Sequence, residues 1–149
     1  MDVMPPRLIQ RSQQRPGRIT PGDWCEVDEG PQLLQLLMRP YVGAAYPLGR
    51  GIHPMTTVPL GLAIDAAIKA VDGEVNGVSV LRFCEFSMEN FTSNRRPLRA
   101  RATVKAIGRR HVRVEAQVWE DDRLILRGEI GLVKVRGGRA VELHELTFG

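Results

Sequence analysis

Residues 50–73 read RGIHPMTTVPLGLAIDAAIKAVDG: a polar lead-in, a helical stretch and a glycine stop. Pro59 suits the first helical position, where no N–H is needed, and it biases Val58 towards an extended, cap-like conformation. The helix is therefore expected to begin at Pro59. From there Leu60, Ile64, Ala67, Ile68 and Val71 recur on one helical face, and Gly73 ends the run. Gly61, Ala63, Ala66 and Ala70 line the other flank, where small side chains let another element approach closely. A helix covered on more than one side is the expected centre of the fold.

Beyond Gly73 the period changes from helical to alternating. Residues 78–88 are rich in β-branched and aromatic side chains and read as a strand, followed by a polar break through Glu89, Asn90, Thr92, Ser93 and Asn94 that Pro97 closes. Next, Leu98, Ala100, Ala102, Val104 and Ala106 alternate with Arg99, Arg101, Thr103 and Lys105, a half-buried strand with a basic outer face. A turn at residues 108–110 leads into Val112, Val114, Ala116 and Val118, alternating with Arg113, Glu115 and Gln117. After the acidic turn at Glu120, Asp121 and Asp122, a further strand runs from 124 to about 135. Gly128 and Gly131 inside it mark a bulge or a close backbone approach. Past Gly137 and Gly138, residues 141–148 could add an edge strand. The sum is an α+β chain ending in an antiparallel meander.

On the amino-terminal side, residues 1–18 are rich in Pro, Gln and Arg and read as a flexible basic tail, leaving 19–149 as a single domain. The TPGDW stretch at 20–24 is a turn, and Pro31 looks like the start of a short helix that must stop before Pro40. Residues 41–51 fit a short strand or an ordered loop equally well.

A chain of 149 residues can bury a core as one domain without metals or disulfides. Cys25 and Cys84 have neither metal-ligand spacing nor the density of a secreted scaffold, which points to a reducing, cytoplasmic setting and no metal. No apolar run reaches membrane-span length and no signal-peptide core is visible, so a soluble protein without a membrane partner is expected. The net charge of +4 favours an anionic partner such as phosphate. Scarce aromatics and the lack of a recognition motif argue against nucleic acid.

One helix followed by a strand, a loop and a three-strand meander resembles the hotdog fold, a curved antiparallel sheet wrapped around a central helix. The resemblance covers roughly residues 41–135. Within it, SNRRPLRARATVKAIGRRHVRVEAQVWEDDRLILRGEIGLVKV at 93–135 is similar to the pattern of the hotdog acyl-CoA thioesterases. LLQLLMRPY at 33–41 and RGEIGLVKV at 127–135 are similar to the mycobacterial long-chain fatty acyl-CoA thioesterases. This family implies a homodimer or a tetramer of dimers, with active sites at the dimer interface. It also implies an acyl-CoA or acyl-carrier-protein substrate, coenzyme A or phosphopantetheine being part of the substrate and no separate cofactor being needed.

Thioester hydrolysis needs donors that polarise the carbonyl and a base or nucleophile that activates water or attacks. Thr57 precedes Asp65 by eight positions, which resembles the spacing of the carbonyl-binding residue and the catalytic carboxylate in several hotdog thioesterases. The resemblance thus implies Asp65 as the carboxylate and Thr57, with Thr56, as the carbonyl-binding region. Fluoroacetyl-CoA thioesterase is similar in having Thr and Glu at this spacing, with a His after the next strand; here Glu89 or Asn90 stands near that place. Plainer readings stand beside these. Asp65 and Lys69 form an i,i+4 ion pair of the ordinary helical kind, Thr56 and Thr57 suit a helix cap, and Asn90 suits a loop anchored to backbone.

His53, followed by Pro54, Pro59 and Gly61, loosely resembles the lead-in of hotdog dehydratases. That gives a second reading, a hydroxyacyl dehydratase using His53 and Asp65, against a structural loop histidine. Arg95 and Arg96, just after the polar break, are the expected phosphate ligands, while the remaining meander arginines read as a solvated sheet face. A non-catalytic acyl-binding or assembly subunit is the third reading.

Overall fold

The computed structural model describes residues 7–12, 19–30, 54–71, 78–92 and 96–143. Its elements are β1 (Arg7–Arg11), β2 (Trp24–Glu29), α1 (Pro54–Val71), β3 (Val78–Met88), β4 (Leu98–Ile107), β5 (His111–Glu120), β6 (Arg123–Arg136) and β7 (Arg139–Ala140). The strands join in the order β1-β2-β4-β5-β6-β3, with β7 hung on β6. Every pairing is antiparallel.

The alternating sequence of the meander sets its register. Leu98, Ala100, Ala102 and Val104 of β4 and Val112, Val114, Ala116 and Val118 of β5 are buried on one face, with Ala102 opposite Ala116. A slip by one residue would turn all of them outward, so the pattern fixes the pairing. Two tight hairpins close the later strands. Asp121 takes φ 53° between the paired Glu120 and Arg123, and Gly137 and Gly138 take φ 57° and 77° between Arg136 and Arg139. Such left-handed turns match the twist of the strands they join.

The helix lies on this buried face, but not by the side its large residues predict. Leu62, Ala63, Ala66, Ala67 and Val71 are buried, whereas Leu60, Ile64 and Ile68 are half-buried at the margin of the core. The sheet beneath presents Ala100, Ala102 and Ala116, so the small flank of the helix gives the closer contact. Two side chains fix its direction. Cys25 Sγ donates to the Ala66 carbonyl at 3.0 Å, and the buried Lys134 Nζ donates to the Val71 carbonyl at 3.2 Å. The carboxyl end of α1 therefore sits where β6 ends, and its amino end points to where β3 runs out and β6 begins.

Several expectations need correction. The helix starts at Pro54, which supplies the first-turn proline itself; Pro59 lies inside, forgoing the bond its N–H would make to the Met55 carbonyl. Residues 7–11 are not a loose tail but an edge strand, running from Arg7 opposite Asp28 to Arg11 opposite Cys25, with Arg7 ion-paired to Asp28 at 3.0 Å. After the turn at Gly22 (φ 96°) the chain enters β2, a strand the turn-then-helix reading passes over. The last described strand is Arg139–Ala140, and of the edge strand expected over 141–148 the described residues 141–143 are not in a strand. The short helix expected after Pro31, residues 41–51 and residues 144–149 lie outside the described residues. No described helix is long and apolar enough to cross a membrane.

Candidate functional site

Asp65 is placed midway along α1, its side chain 31% exposed, and is ion-paired directly to Lys69. The i,i+4 contact read from the sequence is present. The pair faces the β1–β2 side of the molecule. Arg11 of β1 donates to the Lys69 carbonyl at 2.8 Å, and the charges of Asp65 and Lys69 both act on the Cys25 thiol of β2. Burial is the largest influence on that thiol and pushes its pKa up to about 12; Arg11 and Lys69 oppose the rise, while Asp65 and Glu26 add to it. Cys25 is thus an inert, hydrogen-bonded core thiol rather than a nucleophile. Arg11 and Cys25 are the neighbours of Asp65 that the sequence did not reveal, because their proximity comes from long-range pairing of β1 with β2.

Glu89 and Asn90 follow β3 on a loop pinned from several directions. Their N–H groups donate to the Ile125 carbonyl at 2.8 and 3.2 Å, and Asn90 Nδ2 donates to the Leu124 carbonyl at 2.8 Å. Glu89 pairs with Arg127 at 3.0 Å and accepts from Ser87 Oγ. Further on, Thr92 Oγ1 donates to the buried Glu120 carboxylate, and Arg123 donates to the Phe91 carbonyl. Apart from the Ser87 contact, which is to β3 itself, these contacts hold the loop to β5 or β6, so the backbone-anchoring reading of Asn90 describes what its amide does. The Phe91 side chain is 67% exposed.

The loop and the amino end of α1 share one end of the sheet, so the helical segment containing Thr56 and Thr57 approaches the same end as Glu89 and Asn90; the side chains of Thr56 and Thr57 lie outside the described part. Asp65 is set apart. It faces β2, and β2 and β3 are four strand spacings apart, about 19 Å across the sheet. His53 and Arg95 lie outside the described residues. Arg96 pairs with Asp121 at 2.5 Å and stays exposed.

Two features of β3 were less legible. It pairs with β6 alone, so among the described strands its other edge is open. It also closes tightly on β6: a Cβ at Gly128 would lie 2.1 Å from the Glu85 carbonyl oxygen, and one at Gly131 would lie 2.2 Å from the Phe83 ring. These are the close approaches the two glycines signalled. A cleft of about 450 Å³ lined by Glu85, Phe86, Ser87, Glu115, Arg127, Gly128 and Glu129 lies beside them, with no helix residue in its wall. Its Glu115 and Glu129 are already paired, with Lys105 at 3.4 Å and Arg113 at 2.7 Å.

No protein-family model and no curated protein matches the sequence. Solved structures do match the fold. A hot-dog-like protein from Thermanaerovibrio acidaminovorans is 13% identical at a TM-score of 0.61, over 78% of this chain and 84% of its own. A thioesterase family protein from Silicibacter pomeroyi is 15% identical at 0.56, over 89% and 85%. A protein from Bacillus halodurans, solved with CoA, is 17% identical at 0.51, over 74% and 66%. With one helix laid on a curved antiparallel sheet and overlaps of this extent, the chain has the hotdog fold.

Proposed function

We propose that this chain is an acyl thioesterase that hydrolyses an acyl-CoA or acyl-carrier-protein thioester as a homodimer, or as a tetramer of such dimers. The observation that carries this reading is a partly accessible carboxylate, Asp65, on the one described helix of a hotdog fold shared with a thioesterase family protein and a CoA-bound protein. In this mechanism Asp65 takes a proton from water as the oxygen adds to the thioester carbonyl. The Thr57 region and the first-turn N–H groups of the helix, which have no acceptor within the helix, stabilise the developing oxyanion. Collapse breaks the C–S bond, and the thiolate recovers the proton. Lys69 orients the carboxylate through their ion pair. The coenzyme or phosphopantetheine arrives as part of the substrate and no separate cofactor is invoked. Two free thiols fit a cytoplasmic setting.

The open edge of β3 supports the dimer. An eleven-residue strand with one edge open among the described strands is a ready template for a second copy. Antiparallel pairing about a two-fold axis would bring the start of the partner's β3 beside this chain's loop at 89–92. The two chains would then share the end of the sheet that the helical segment containing Thr57 approaches, while Asp65 stays on the β2 side of its own chain.

The test is release of free thiol from a panel of short, aromatic and long acyl-CoAs, with Asp65→Asn beside the wild type. We expect turnover in the wild type and a loss of roughly a hundredfold or more in the variant, the scale of a lost general base. A second reading, a non-catalytic acyl-binding subunit, is favoured by Asp65 facing β2 and pairing with Lys69. Binding of acyl-CoA without turnover in the wild type would replace the first reading by the second.

A further inference from the structure

The helix-facing side of β1 forms a shelf beside α1. Leu8 lies opposite Val27 and Arg11 opposite Cys25, and residues directly opposite on paired strands share a face. A bulge at Ile9, between Leu8 and Gln10, is what puts both Leu8 and Arg11 on the helix side although they are three positions apart. Val27 and Cys25 are fully buried under the helix, yet Leu8 on the same face is 39% exposed.

Each antiparallel pairing reverses direction, so β1 runs the same way as β6, towards the carboxyl end of α1. Leu8 therefore precedes Arg11 in the direction in which Asp65 precedes Lys69. The Val27–Cys25 step is two residues of strand, about 7 Å, and the Asp65–Lys69 step is one turn of helix, about 6 Å. With Arg11 bonded to the Lys69 carbonyl at 2.8 Å, Leu8 stands roughly level with Asp65.

The polar groups along the shelf have capacity left. Lys69 holds Oδ2 of Asp65, and Oδ1 has no partner among the described residues. Arg11 gives one of its five N–H donors to the Lys69 carbonyl and pairs with no carboxylate among the described residues. Two cations and a single carboxylate thus leave positive charge in excess, and it lies at Arg11 because Lys69 is matched by Asp65. A guanidinium beside an apolar side chain complements a carboxylate carried on a short hydrocarbon chain.

We propose that Leu8 and Arg11 select an acyl group with a carboxylate at its far end, so that the thioester taken at Asp65 is that of a short dicarboxylic acid. The thioester carbonyl meets Asp65 with its oxygen towards the amino end of α1, the methylene chain crosses Leu8, and Arg11 binds the terminal carboxylate. That the ligand is a thioester rests on the hydrolase reading, whereas its anionic end rests on Arg11.

The experiment is calorimetric binding to the full chain of two thioethers that cannot be hydrolysed, S-carboxybutyl-coenzyme A and S-pentyl-coenzyme A, which match in length and differ in the terminal carboxylate. Wild type is compared with Arg11→Gln, Arg11→Lys, Leu8→Ala and, as a control on the other face of the sheet, Lys105→Gln. We expect wild type to bind the carboxybutyl compound roughly tenfold more tightly, the scale of one charge-assisted contact. Arg11→Gln should erase that preference without weakening the pentyl compound, Arg11→Lys should keep most of it, Leu8→Ala should weaken both compounds alike, and Lys105→Gln should change neither. Loss of the helix carbonyl bond alone would weaken both compounds equally in Arg11→Gln. That result, equal affinity of wild type for the two thioethers, or binding of neither would overturn the proposal. Binding is read without turnover, so the preference can stand if no thioester is hydrolysed. Hydrolysis of glutaryl-CoA and pentanoyl-CoA with equal kcat/KM, abolished in Asp65→Asn, would overturn the dicarboxylic preference and leave the thioesterase reading intact.

Discussion

Lys134 Nζ, on a side chain only 1% exposed, donates to the Val71 carbonyl at 3.2 Å and so closes the carboxyl end of α1. The last carbonyls of a helix have no partner within it, and a cation there meets the negative end of the helix dipole. Lys134→Met keeps much of the volume but removes the donor. We expect it to lower stability by about 1–3 kcal/mol in urea unfolding. Lys105→Met, on an exposed side chain, should stay within roughly 0.5 kcal/mol of the wild type. Equal effects of the two would show that the buried bond contributes nothing.

Gly128 and Gly131 make a paired prediction. A methyl at Gly128 meets β3 backbone, the Glu85 carbonyl and Phe86 Cα, whereas one at Gly131 meets the Phe83 ring, which is 41% exposed. Backbone cannot move without opening the ladder, but an exposed ring can swing away. Gly128→Ala should therefore cost more than the roughly 1–3 kcal/mol usual for overpacking, and Gly131→Ala should fall at or below that range. Thermal unfolding would rank them. Adding Phe83→Ala should recover stability in the Gly131 variant and not in the Gly128 variant.

The contrast between what the sequence told and what it withheld follows from the range of the interactions. The meander was legible because period-two alternation is local, and Ala100, Ala102, Val112 and Val114 each declare a face through their neighbours. β1 was not, since Leu8 and Ile9 are adjacent and both exposed; the segment is a strand only by pairing with β2. β2 carried a signal, Cys25 and Val27 inward against Glu26 and Asp28, which the turn before it and Pro31 after it obscured. At the site, the Asp65–Lys69 contact follows from helical spacing. Its orientation towards Cys25 and Arg11 depends on contacts forty or more residues away, and no local pattern encodes that.

The Cys25 thiol gives a pH prediction. Its pKa rises from 9.0 to about 12 in the folded chain, chiefly through burial. Below pH 9 the thiol is protonated in both states and its contribution to stability is fully present. Between 9 and 12 the unfolded chain loses the proton first, so stability falls as pH rises through that window. Cys25→Ala should lower stability at pH 8 yet show a shallower decline in Tm between pH 9 and 11. A disulfide-exchange reagent at pH 8 should modify the exposed Cys84 promptly and Cys25 only on unfolding. Equal rates at the two thiols would contradict the burial.

The second thiol tests the open edge of β3. The strand runs Val78–Met88, so its midpoint is Phe83 and Cys84 lies one residue away. If two copies pair antiparallel about a two-fold axis near that midpoint, their Cys84 residues approach to the separation a disulfide spans, about 5.5 Å between Cα atoms. Mild oxidation should then trap a covalent dimer that Cys84→Ser abolishes and Cys25→Ser leaves intact. Phe83→Lys supplies the complementary perturbation, because a charge on an open edge opposes strand addition. Sedimentation should show a wild-type dimer and a shift towards monomer in Phe83→Lys. A monomeric wild type at millimolar concentration would remove the dimer from the proposed mechanism, leaving Asp65 and the Thr57 region of one chain to carry it. A dimer that survives Phe83→Lys and never cross-links through Cys84 would place the two-fold contact on some surface other than β3.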